Sequence, residues 1–214
     1  MKTCVTDRDE LKNRVVLFSL EKFMAESVSN VRMDDISAEM GISKRTLYEL
    51  FESKEQLLFA CIRYVHQKIE QEMRIRLLRH DDIISISMLH FAFLLKTSKS
   101  VSCGFFEQIE KYPAIKSYFD ERNRNMMVSV QSYIELGVKQ GVFRSDINLA
   151  VIMKTVDILI QYLINNRHTL EFSMEDLVYS MILVELRGIS TQKGLDLIEK
   201  FDINNIQIDE KEVF

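Results

Sequence analysis

The sequence predicts an all-α protein, with an N-terminal three-helix helix-turn-helix domain followed by a larger C-terminal helical domain. Three observations carry the prediction. One proline and six glycines among 214 residues leave few places to break a helix and few turn clusters for a sheet. Apolar residues recur at spacings of three and four through most of the chain, the period of a helix face. Helix stop and start signals crowd into residues 41–58, where Gly41 and two serines at 43 and 53 punctuate the pattern.

Taken in order, residues 8–27 read as a first helix. Leu11, Val15 and Phe18, with a second row through Val16, Ser19 and Phe23, form a broad apolar stripe. Residues 33–40 form a second helix, with Asp34 and Asp35 in its first turn, where carboxylates complement the macrodipole, and Ile36 and Met40 facing inward. Gly41 follows Met40 where that pattern stops and suits a left-handed position just past a helix end. Ser43 caps a helix over 44–51 whose apolar residues, Leu47, Leu50 and Phe51, share one face. Lys44, Arg45, Thr46, Tyr48 and Glu49 occupy the other. Ser53 with Gln56 three residues on fits a capping box that opens the next helix. Two helices joined by a three-residue turn, the second carrying an outward basic and hydroxyl face, make a helix-turn-helix.

The run Asp35-Ile36-Ser37-Ala38-Glu39-Met40-Gly41-Ile42-Ser43-Lys44-Arg45-Thr46-Leu47-Tyr48, followed by Phe51 and Ser53-Lys54-Glu55, resembles the DNA-binding domain of the tetracycline-repressor (TetR) family. The resemblance covers residues 10–60 in detail and extends further only through length and helical pattern. It implies that Lys44, Arg45, Thr46, Tyr48, Glu49 and Lys54 occupy DNA-contacting positions, and Ser43 belongs to the same candidate surface. The family commonly has a threonine cap where this chain has Arg32, and an apolar residue where it has Lys22. A cation beside a helix N-terminus is unfavourable for the helix alone, which makes Arg32 either a phosphate contact or a solvated side chain.

The chemistry of the face follows from its residue types. Lys44 and Arg45, at the helix start, can reach base edges, and Arg45 can bond guanine bidentately. Thr46 and Tyr48 offer hydroxyls to phosphates, and Lys54 stands at a helix N-terminus where backbone N–H groups also face an anion. Glu49 accepts from cytosine or repels wrong sites. The charge balance sets a condition on this reading. The net charge is −4, and residues 1–60 hold nine Lys or Arg against eleven Asp or Glu. DNA binding therefore depends on how charges are distributed, with the cations of the second helix converging on one surface.

Residues 54–79 form a long connecting helix, with Leu57, Leu58, Cys61, Ile62, Val65, Ile69, Met73 and Leu77 at helical spacing. At 1.5 Å per residue it is roughly 39 Å long. Its start packs under the recognition helix and its end enters the remainder of the protein. The expected domains are 1–53 for the helix-turn-helix, 54–79 for the connecting helix, 80–203 for ligand binding and dimerisation, and 204–214 for a loose tail. Within the second domain helices are expected over 82–97, 102–111, 114–139, 148–166, 173–188 and 191–201. Pro113 separates the second of these from the third, and Gly141 ends the third. Asp146 or Asn148 restarts the chain, Ser173 opens the helix that Gly188 ends, and Thr191 caps the next.

Helices 148–166 and 173–188 are apolar on more than one face, which calls for burial on more than one side. A homodimer interface supplies the second side, and the resemblance implies a two-fold four-helix interface there. Phe91, Cys103, Phe105, Phe106, Met126, Tyr133 and Tyr162 are candidates to line a pocket for an apolar or amphipathic effector, although aromatic and Met stripes at helical spacing are more often plain core.

Other chemistries find little support. His66, His80, His90 and His168 lack metal-ligand spacing, and the chain contains no HExxH, CxxC, nucleophile elbow or glycine-rich phosphate loop, so no enzyme activity, metal or cofactor is expected. The three cysteines are an odd number without close pairing, no export signal is evident, and no apolar run reaches about 18 residues, which points to the cytoplasm. The expectation is a ligand-responsive repressor that binds a palindromic operator as a homodimer. The alternative is a helical, dimeric small-molecule-binding or scaffold protein without operator binding.

Overall fold

The computed structural model describes residues 2–79, 81–88, 109, 111–148, 151–152, 154–155, 158–159, 162 and 171–200. Among these the elements are α1 (Lys2–Ala25), α2 (Met33–Glu39), α3 (Lys44–Leu50), α4 (Lys54–Leu78), α5 (Pro113–Lys139), α6 (Met174–Ile189) and α7 (Gln192–Lys200). Residues 83–88 are also helical. No strand occurs among the described residues, and the one extended pairing is an isolated antiparallel bridge between Phe143 and Ser190. The expected helices 102–111 and 148–166 and the tail lie wholly or largely outside the described residues. No helix among those described is long and apolar enough to cross a membrane.

The chain divides into two compact units. The first comprises the described residues of 1–71 and 100–119, the second those of 72–99 and 120–207. In the first unit α1 buries Val15, Val16, Ser19, Leu20 and Phe23, a stripe that recurs every four residues as one helix face does. Ile36 of α2, Leu47 of α3 and Leu57 and Leu58 of α4 are also fully buried. Full burial of each such side chain contributes about 1.5–3 kcal/mol. Met40 and Leu50, expected inward, are only half-buried: Met40 is the residue that caps the end of α2, and Leu50 is the last residue of α3. Cys61 is buried in α4 with its thiol donating to Val16 O at 3.4 Å, and burial pushes the thiol pKa up, as an inert core cysteine requires.

In the second unit Ile83, Ile84, Ile86, Met88, Val142, Phe143, Leu186, Ile189 and Ile198 form a single buried cluster. The segment after α5 knits this unit together. Gly141 adopts φ +71, and the N–H groups of Gly141 and Val142 return to Val138 O and Gly137 O at 2.9 Å each, the two bonds of a Schellman stop. Arg144 N–H then donates to Ile189 O, and Thr191 N–H to Val142 O. This pairing corrects one boundary: α6 does not end at Gly188 but runs to Ile189, and it stops where Ser190 turns extended to meet Phe143. Asn148 Oδ1 accepts from Val151 N–H, so Asn148 is the cap of the two expected alternatives, while Asp146 pairs with Arg144 at 2.7 Å.

Candidate nucleic-acid interface

The turn between α2 and α3 is closed by backbone bonds that the sequence makes possible at one residue. Gly41 takes φ +66, its N–H reaches Ala38 O, and Ile42 N–H reaches Ser37 O, a complete Schellman motif. Ser43 follows in extended conformation, and its hydroxyl accepts from Thr46 N–H at 3.0 Å, capping α3. Ser43 Oγ and Thr46 Oγ1 also share a 2.8 Å hydrogen bond, so both hydroxyls are engaged in the cap. Leu47 is fully buried and Phe51 nearly so, which turns the opposite face of α3 outward.

That outward face carries Lys44, Arg45, Tyr48 and Glu49, all exposed, with the Arg45 side chain 88% accessible. The cations are paired. Lys44 Nζ lies 2.6 Å from Asp34 Oδ2 at the start of α2, and Arg45 Nε donates to Glu49 Oε1 at 2.8 Å across one turn. These hydrogen bonds, and then the carboxylate charges, hold both cations above their ordinary pKa.

Two of the predicted residues stand differently from the rest. Arg32 is exposed in the N-cap position of α2, extended, with no side-chain cap bond. Lys54 is half-buried, and its ammonium donates to Val28 O at 3.0 Å and Val31 O at 3.1 Å, tying the start of α4 to the loop before α2. The capping box at Ser53 also forms with a shift: Ser53 Oγ accepts from Gln56 N–H, but Gln56 reaches back to Glu52 N–H rather than to Ser53.

Three residues outside the predicted set shape the same surface. Asp34 engages Lys44, as above. Arg8 of α1 donates to Glu49 O at 3.1 Å, placing a cation at the carbonyl end of α3 where the macrodipole favours it. Lys12 lies 5.5 Å over the Phe51 ring. The i,i+4 spacing of Arg45 and Glu49 is visible in the sequence, whereas the contacts of Arg8, Lys12 and Asp34 join different helices and leave no local signal. Lys22, where the resemblance leads to an apolar residue, bonds Glu39 at 2.5 Å and Glu26 at 3.5 Å, so α1 is tied to α2 by charge at that place.

The predicted effector residues are less gathered. Phe91, Cys103, Phe105 and Phe106 lie outside the described residues, as does the side chain of Met126 on α5. Tyr133 is half-buried and packs against the core cluster of the second unit, and Tyr162 is helical and 57% exposed. Among the described residues no group of three or more His, Cys, Asp or Glu is placed to hold a metal ion.

Residues 19–61 match the family model of bacterial regulatory proteins, tetR family. No curated protein sequence matches the chain. Solved structures share its fold at low identity. A TetR-family transcriptional regulator from Cytophaga hutchinsonii is 14% identical with a TM-score of 0.66, covering 87% of this chain and 98% of that one. A putative transcriptional regulator from Saccharomonospora viridis, solved in complex with choline, is 22% identical with a TM-score of 0.64, covering 86% and 100%. The ketosteroid transcriptional regulator of Mycobacterium tuberculosis is 14% identical with a TM-score of 0.55, covering 85% and 95%.

Proposed function

We propose that this chain, which carries a tetR-family helix-turn-helix domain at residues 19–61 within a TetR-type regulator fold, is a ligand-responsive transcriptional repressor that binds a palindromic operator as a homodimer. The observation that carries the proposal is the two-sidedness of α3. Leu47 is fully buried on one side, while Lys44, Arg45, Tyr48 and Glu49 stand in solvent on the other. A seven-residue helix presented in this way fits the major groove, with Arg45 and Lys44 near its start to meet base edges and Tyr48 and Arg32 to meet phosphates.

Dimerisation is supported by apolar side chains that one protomer leaves in solvent. Val151, Ile158, Leu159 and Tyr162 are 37–58% exposed, and Val184 of α6 is 71% exposed. Residues 151, 158 and 162 fall on one helix face, within the apolar stretch 148–166 of the sequence. A two-fold interface buries that face and sets two copies of α3 at the half-site spacing of about 34–36 Å. The effector reading rests on the aromatic and Met-rich composition of 82–166 and on the Saccharomonospora neighbour, whose structure holds choline. An apolar or amphipathic effector releases DNA only by binding the non-operator conformation more tightly.

A mobility shift on the DNA upstream of the protein's own gene tests the proposal. The expected result is a palindrome-dependent complex that weakens with salt and disappears in the Arg45→Ala and Tyr48→Phe variants. Absence of a complex, or one indifferent to both substitutions, contradicts it and leaves the scaffold alternative.

A further inference from the structure

Both cations on the outward face of α3 are occupied by the protein's own carboxylates. Lys44 pairs with Asp34 at 2.6 Å and Arg45 with Glu49 at 2.8 Å, and all four side chains are more than half exposed. The reading face is therefore close to neutral, in a domain whose residues 1–60 hold nine Lys or Arg against eleven Asp or Glu. Attraction to phosphates is independent of sequence and grows with the cations offered, so a neutral face suppresses binding to arbitrary DNA. Exposed ion pairs are weak, so a correctly placed partner displaces the carboxylate at little cost. The Arg45 pair uses Nε, which leaves both terminal nitrogens free to meet the two acceptors of guanine.

We infer that Asp34 and Glu49 are specificity-determining residues: in the free protein they mask Lys44 and Arg45, and only a matching base edge or phosphate array exchanges for them. Discrimination then comes from a built-in competitor as well as from attraction to the right site. This inference rests on the operator-binding reading above.

The test is fluorescence anisotropy on the DNA upstream of the protein's own gene and on a scrambled duplex of equal length and composition. Asp34→Asn, Glu49→Gln and the double variant are compared with Asp35→Asn, which removes an equal charge one residue along α2 without removing either pair. Melting temperatures confirm that each variant is folded. The double variant is expected to bind the scrambled duplex about 3–10-fold more tightly, with a smaller gain on the upstream fragment, so that the affinity ratio falls. Asp35→Asn is expected to leave the ratio unchanged. An unchanged ratio in the double variant, or an equal fall with Asp35→Asn, overturns the inference while operator binding stands. Weakened binding of Glu49→Gln to the upstream fragment alone also overturns it, since Glu49 then reads a base. A wild type that binds neither duplex removes the operator-binding reading and the inference together.

Discussion

Gly137 lies beneath the ring of Phe143, so close that a Cβ built there overlaps three of its ring carbons. Phe143 is buried in the core of the second unit and cannot retreat without opening a void. Gly188, by contrast, is a helical position with open space around it. Gly137→Ala is therefore expected to destabilise the protein by about 1–3 kcal/mol through overpacking. Gly188→Ala should leave stability unchanged or raise it by up to about 1 kcal/mol. Denaturant melts of the two variants check the contrast, and equal effects would contradict it. In the sequence Gly188 reads as a helix stop and Gly137 as an interior helix position, and neither reading foretells which of them tolerates a Cβ. Gly41 and Gly141 were legible because a left-handed residue leaves a local mark, a glycine just past an amphipathic run. The demand on Gly137 comes from a ring that reaches back across the turn, and no local pattern records it.

At the scale of elements, the caps were the most readable features. Ser43, Ser53 and Ser173 each accept the N–H three residues on, as their side chains and spacing foretell. Lys54 was readable only as a cation at a helix start. Its two carbonyl partners, Val28 and Val31, are more than twenty residues away in the chain and come within reach only when the loop before α2 folds over α4. That loop sets the entry of α2 and, through the Gly41 turn, of α3. Lys54→Met is expected to loosen residues 28–33, seen as faster amide hydrogen exchange there, and to weaken binding to all DNA sequences by a similar factor. Unaltered exchange at 28–33 would show that the two bonds do not hold the loop. Within α3 itself, the sequence separates the inward Leu47 from the outward Lys44, Arg45 and Tyr48, because period and polarity agree. The pairing of Lys44 with Asp34 is invisible to that pattern, since it joins residues ten apart on different helices.

For the whole molecule, the all-α class was legible from helix breakers and period alone, whereas the proposed homodimer rests only on a surplus of apolar surface. Ile158 and Val184 are 58% and 71% exposed, and both fall in stretches of the sequence that are apolar on more than one helix face. Ile158→Asp combined with Val184→Glu is expected to convert a dimer into a folded monomer in sedimentation experiments, with helicity retained and operator binding lost. A dimer that persists in the double variant would place the two-fold interface elsewhere.

Under the proposed function, the outward face of α3 reads DNA in pairs. Selection of bound sequences from a random pool of duplexes tests it most directly, because it assumes no operator. The expected result is enrichment of a palindrome whose half-sites are about 10 base pairs or a multiple apart, with enrichment abolished by Arg45→Ala. Selection of no common sequence, or of the same sequence by the Arg45→Ala variant, would contradict it.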